Sequence, residues 1–158
     1  MPRFAVLLLL APGIMALDGC PACGGPVSEL RAQRPNIVFI MADDLGYGDL
    51  GCYGQQEIRT PHLDRLAAAG LRFTQAYAGG CVCTPSRSCL MTGLHGGHTP
   101  ARDNVPHYHA YLQDDDVTVA EVLRDAGYRC GGFGKWSLGD AGTVGRATNQ
   151  GFDTWFGY

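Results

Sequence analysis

Asn36-Ile37-Val38-Phe39-Ile40-Met41-Ala42-Asp43-Asp44-Leu45-Gly46 is an apolar run that ends on two carboxylates and a glycine. A run of this length without alternation predicts a strand buried on both faces, as in a parallel sheet. Downstream, Thr60 is a good N-cap, Pro61 suits the first helical position and Gly70 a helix end, with Leu63, Leu66 and Ala67 at helical spacing. Leu71 to Tyr77 reads as a short strand. Thr84-Pro85 announces a second helix that Gly93 closes. A third opens on the capping box Thr118 and Glu121, carries an apolar stripe of Val119, Val122, Leu123 and Ala126, and stops at Gly127. Tyr128 to Phe133 is a candidate strand that delivers Lys135 at its end. Alternating strands and helices point to an α/β sheet flanked by helices. In such folds the site lies beyond the carboxyl ends of the strands, where Asp43, Asp44 and Lys135 all fall.

The wider composition narrows the function. The 158 residues carry a net charge of −3 and 23 glycines, about twice the usual share of roughly 7%. With no collagen-like period, so much glycine means many tight turns. Of the twelve basic residues only Lys135 is a lysine, which excludes a polybasic membrane patch, and the weak acidity argues against a nucleic-acid partner. Arg3 followed by the apolar stretch 4–16, too short to span a bilayer, reads as a secretory signal over residues 1–16, so export to the periplasm or outside is expected. Residues 17–34 look like a linker, and residues 35–158 form the folded part. Leu17-Asp18-Gly19-Cys20 is a degenerate lipobox, and membrane attachment would require lipidation at Cys20. Seven cysteines leave at least one unpaired. Cys20-Pro-Ala-Cys23 lacks a second pair at zinc spacing.

Two stretches hold chemistry. Adjacent Asp43 and Asp44 have an ordinary reading as solvated turn residues. At the end of a buried strand, however, they would repel each other and suit a hard divalent cation such as calcium or magnesium. Cys83-Thr84-Pro85-Ser86-Arg87 leads into a helix, whose N-terminus favours anions. Arg87, one turn on, offers a planar cationic fork to the same side. Read alone, a structural thiol beside a surface arginine is as good an account.

The whole segment Cys83-Thr84-Pro85-Ser86-Arg87-Ser88-Cys89-Leu90-Met91-Thr92-Gly93 resembles the signature of the type I sulfatases, Cys-x-Pro-Ser-Arg-x-x-Leu-x-Thr-Gly. Pro35 to Val38, running on to Asp43-Asp44-Leu45-Gly46-Tyr47-Gly48-Asp49, is similar to that family's opening strand and metal loop. Gly134-Lys135-Trp136-Ser137-Leu138-Gly139 resembles its second signature, and Gly151-Phe152-Asp153 through Gly157-Tyr158 the segment after it. Four motifs in order are far more specific than one. The resemblance implies the N-terminal part of an alkaline-phosphatase-like fold, a mixed sheet flanked by helices, here truncated.

It also implies an arylsulfatase-like sulfuric ester hydrolase. Cys83 would be converted by a formylglycine-generating enzyme to Cα-formylglycine, whose hydrate attacks the sulfur of a sulfate ester substrate. Asp43 and Asp44, with the group at Cys83, would ligate one calcium ion. Arg87 would steady the formylglycine oxygens, and Lys135 would bind sulfate. The resemblance implies that the modifying enzyme would read Cys-x-Pro-x-Arg, which Cys83, Pro85 and Arg87 satisfy and Cys81 and Cys89 do not. Ser137 stands where many relatives carry His. Further metal ligands of the family would lie beyond Tyr158, and His62, His95, His98, His107 and His109 are not clear substitutes. An incomplete, inactive fragment and a phosphoesterase of the same superfamily are the alternatives, although the latter group uses Ser or Thr as nucleophile.

Overall fold

The computed structural model describes residues 34–104 and 111–158. The signal segment 1–16, the linker apart from Arg34, Cys20, Cys23, His107 and His109 lie outside the described residues. The chain divides into two units, one ending at Gln75 and the other running from Ala76 to Tyr158.

In the first unit, the backbone from Asn36 to Met41 joins no sheet, which corrects the expectation of a strand buried on both faces. Ile37, Val38 and Ile40 are 50%, 61% and 68% exposed. A parallel strand needs a ladder partner for its N–H and C=O groups and a packed layer on each face, and the described residues of this unit supply neither. Two 3-10 turns follow, Tyr47–Asp49 and Gly51–Tyr53, and order here comes from side chains that fasten the second of them to helix α1, Pro61–Ala69. Thr60 is the N-cap residue of α1, but its hydroxyl does not cap that helix. It accepts from the Gly51 N–H at 2.8 Å and donates to Asp64 Oδ1 at 3.0 Å. Asp64 Oδ1 also accepts from the Cys52 N–H at 2.7 Å. The expected strand from Leu71 to Tyr77 is irregular as well. Its backbone is held by the Tyr53 hydroxyl, which donates to the Phe73 carbonyl at 2.9 Å, and the Arg72 guanidinium donates to the Cys52 carbonyl above the Tyr53 ring.

The second unit holds α2 (Cys83–Thr92), α3 (Val119–Asp125) and two parallel strands, β1 (Gly131–Gly134) and β2 (Thr154–Gly157). The α/β reading is borne out, with β2 an element that the sequence pattern did not announce. The register pairs Gly131 with Thr154 and Phe133 with Phe156. It is set at the strand entrances, where the Cys130 N–H donates to Asp153 Oδ2 at 2.7 Å and the Asp153 N–H to the Cys130 carbonyl at 2.8 Å. Gly132 has to be a glycine, because a Cβ there would lie 2.1 Å from the Trp155 ring.

The core of this unit is Ala101, Leu112, Trp136, Leu138 and Ala147, flanked by Met91, Tyr111, Phe152 and Trp155. Trp136, Phe152 and Trp155 meet edge to face at centroid distances of 4.9 to 5.7 Å. The Trp136 indole N–H donates to the Gly145 carbonyl at 2.8 Å, so the buried polar atom is satisfied. Leu138 is fully buried. Leu138→Ala is expected to lower stability by about 2–5 kcal/mol, the usual cost of such a truncation, measured by chemical denaturation.

The capping box of α3 forms as read: the Glu121 N–H donates to Thr118 Oγ1 at 3.3 Å and the Thr118 N–H to Glu121 Oε2 at 2.8 Å. The expected apolar stripe is not the buried face. Val119 and Val122 are exposed and Ala120 is buried. The Thr118 hydroxyl donates to the Gln150 carbonyl at 2.8 Å, and this bond turns the Ala120 side of the first turn inward.

Candidate active site

α2 begins at Cys83, one residue earlier than Thr84-Pro85 suggests, with Val82 as N-cap and Gly93 closing it in the left-handed conformation (φ 68°). Pro85 falls in the first turn, where no N–H is required of it. The chain before the helix lies directly on it: a Cβ on Gly79 would sit 2.4 Å from Cys89 Cβ, and one on Gly80 2.8 Å from Pro85 Cβ. On another side the segment 99–104 runs back along α2. The buried hydroxyls of Ser88 and Thr99 are hydrogen-bonded, the Ala101 N–H donates to Ser88 Oγ at 3.3 Å, and Asn104 reaches the helix start.

Cys83 is half-buried there, and three groups converge on its sulfur. Asn104 Nδ2 donates to it at 3.1 Å, the Thr84 hydroxyl lies 4.0 Å away, and the Lys135 side chain hydrogen-bonds to it. Burial alone would raise the thiol pKa, but the hydrogen bonds from Asn104 and Thr84 and the charge and hydrogen bond of Lys135 outweigh it, so the net shift is downward. Arg87, only 8% exposed, directs Nη1 to the Lys135 backbone carbonyl. The guanidinium therefore ties α2 to the loop that carries Lys135. Cys83, Arg87 and Lys135, separated by up to 52 positions, form one cluster.

Asp43 and Asp44 are exposed and belong to the other unit. Asp44 takes a left-handed backbone conformation (φ 57°), which Asp and Asn tolerate better than most residues. Two neighbouring carboxylates suit calcium as part of its oxygen shell, although no group of three or more ligating side chains gathers among the described residues. Ser137 is also left-handed (φ 62°) and follows the buried Trp136. His95 and His98 lie on an exposed turn in which His95 Nδ1 accepts from the Gly97 N–H at 3.1 Å. None of Cys52, Cys81, Cys83, Cys89 and Cys130 is in a disulfide. Asn104 is the site residue that the sequence reading missed. It stands 21 positions from Cys83 in no recognisable motif.

A family model described as Sulfatase matches residues 35–158. The chain belongs to the sulfatase family. It is 44% identical over 140 residues to N-acetylgalactosamine-6-O-sulfatase of Bacteroides thetaiotaomicron, covering 88% of this chain and 27% of that protein. It is 53% identical over 114 residues to human arylsulfatase A, covering 68% of this chain and 22% of that one. Among solved structures, BT33336S-sulf of Bacteroides thetaiotaomicron superposes with a TM-score of 0.72 at 41% identity, over 80% of this chain and 28% of that one. Ps i-CgsB gives 0.69 at 35% identity, over 73% and 26%. The sulfatase fold, alkaline-phosphatase-like, is thereby that of this chain. The chain spans about a quarter of the length of the relatives it matches.

Proposed function

We propose that the whole protein hydrolyses sulfate esters, with the group derived from Cys83 as nucleophile. The observation that carries this reading is the convergence of Lys135 and Asn104 on Cys83 at the first residue of α2, inside a Cys-x-Pro-Ser-Arg sequence. Formylglycine at this position would supply a hydrated aldehyde whose oxygen attacks sulfur. Lys135 brings a positive charge to the reacting position, where it attracts a sulfate group and offsets charge developing on its oxygens. Arg87 fixes the loop that presents Lys135 and adds cationic charge to the same end of the helix. The dipole of α2 adds a partial positive charge at that end, which favours an anion there. Asp43 and Asp44 would hold calcium, which supplies Lewis-acid polarisation of sulfate oxygen. Modification would need a formylglycine-generating enzyme, and the apolar N-terminal stretch supports export.

Release of sulfate from a synthetic aryl sulfate, with release of phosphate from the aryl phosphate as the comparison, tests the reading. It is paired with mass spectrometry of the peptide that contains residue 83. Sulfate release together with an aldehyde at that residue is the expected result; faster phosphate release with an unmodified thiol would overturn it. Lys135→Ala is expected to lower kcat/KM for the aryl sulfate by about 10²–10³-fold, the scale on which one preorganised charge-stabilising group acts.

A further inference from the structure

We propose that Asn104 is a positioning residue that locks the side chain at position 83 by spending both ends of its amide there. Nδ2 donates to Cys83 Sγ at 3.1 Å, and Oδ1 accepts from the Thr84 N–H at 3.1 Å. The amide is planar, so two bonds to adjacent residues fix its orientation as well as its place. The arm that carries it is anchored: Ala101 is fully buried, its N–H is bonded to Ser88 Oγ, and the neighbouring Thr99 hydroxyl is bonded to the same serine. Asn104 thus does two things. Its oxygen satisfies an N–H of the first turn of α2 that has no intrahelical partner. Its nitrogen offers a neutral donor to whatever atom residue 83 presents. Sulfur and the oxygens of a hydrated aldehyde both accept such a bond, so the hold persists through conversion. For catalysis this inference rests on the formylglycine reading; for the geometry it does not.

The two roles separate by substitution. Asn104→Asp keeps an oxygen for the Thr84 N–H, since Asp is as good a cap as Asn, but removes the donor to residue 83. Asn104→Ala removes both without adding charge. In the full chain produced with a formylglycine-generating enzyme, both variants are expected to lower kcat about tenfold, the equivalent of one hydrogen bond, with KM within about twofold. Only Asn104→Ala is expected to lower the thermal midpoint, by about 2–4 °C for a cap worth about 1 kcal/mol.

A hydrazide probe supplies a readout independent of turnover. It labels the free aldehyde, which the amide donor disfavours by holding the hydrate. Labelling of residue 83 in the folded protein should quicken at least about threefold in both variants, with equal labelling after denaturation. Wild-type labelling rates in both variants would reduce Asn104 to a helix cap and overturn the proposal. So would an effect confined to Asn104→Asp, which would be charge alone. If denatured wild type carries no aldehyde, the formylglycine reading fails. Iodoacetamide labelling of the Cys83 thiol then decides: equal rates in wild type and both variants overturn the proposal, and a change of about threefold or more in both supports it.

Discussion

Cys83→Ala is expected to remove aryl sulfate hydrolysis almost entirely, lowering kcat by about 10⁶-fold, as loss of an enzyme nucleophile does. No neighbour can take over. Cys81 is exposed two residues before the helix, and Cys89 is buried six positions on, against Gly79. The substitution removes the acceptor of the Asn104 Nδ2 bond, but Asn104 is exposed and water replaces the lost partner, so the cost in stability is about 1 kcal/mol or less. Loss of sulfate release with a retained cooperative thermal transition is the expected pair of results. Residual hydrolysis within an order of magnitude of wild type would show that the reacting group is elsewhere.

The second large effect is expected from Asp43→Asn combined with Asp44→Asn. The double change removes two formal charges from the exposed turn and keeps similar shape. Asn tolerates the left-handed backbone of Asp44 (φ 57°), so the turn itself survives. Calcium affinity of the whole protein should fall by at least about 100-fold, since even outer-shell partners of a metal cost 10–100-fold when removed. Hydrolysis should fall with it. In the wild type, chelation should abolish activity and added calcium restore it. Calorimetry showing wild-type calcium affinity in the double variant would remove Asp43 and Asp44 from the metal site.

How far the chain could be read from its residues depended on how local the determining interactions are. The boundaries of α1 and α2 agree with the sequence to within a residue, because Pro61, Gly70, Pro85 and Gly93 act through their own backbone geometry. The Thr118–Glu121 capping box is closed by atoms three residues apart, and it formed as read. The strands were harder. Asn36 to Met41 has the composition of a buried strand, yet composition supplies no ladder partner. Conversely Thr154-Trp155-Phe156-Gly157 is too short to show a strand period of its own, and β2 exists through its pairing with β1. The stripe on α3 failed for a related reason. Helical spacing identifies apolar neighbours, but the Thr118 to Gln150 bond, which spans 32 positions, chooses which face turns inward.

By itself the sequence determined the family, through four motifs in fixed order that end at Tyr158. It also named the residue types capable of the chemistry, a thiol, a guanidinium, an ammonium and paired carboxylates, whose reactivity their surroundings then tune. Only the tertiary structure decided their company. It brought Lys135 to the Cys83 sulfur across 52 positions, bent the Arg87 guanidinium onto the Lys135 carbonyl, and carried Asn104 back along α2 to the start of that helix. Hydrogen bonds and charge act over a few ångströms of space, and a linear order of residues does not state which distant groups will share that space.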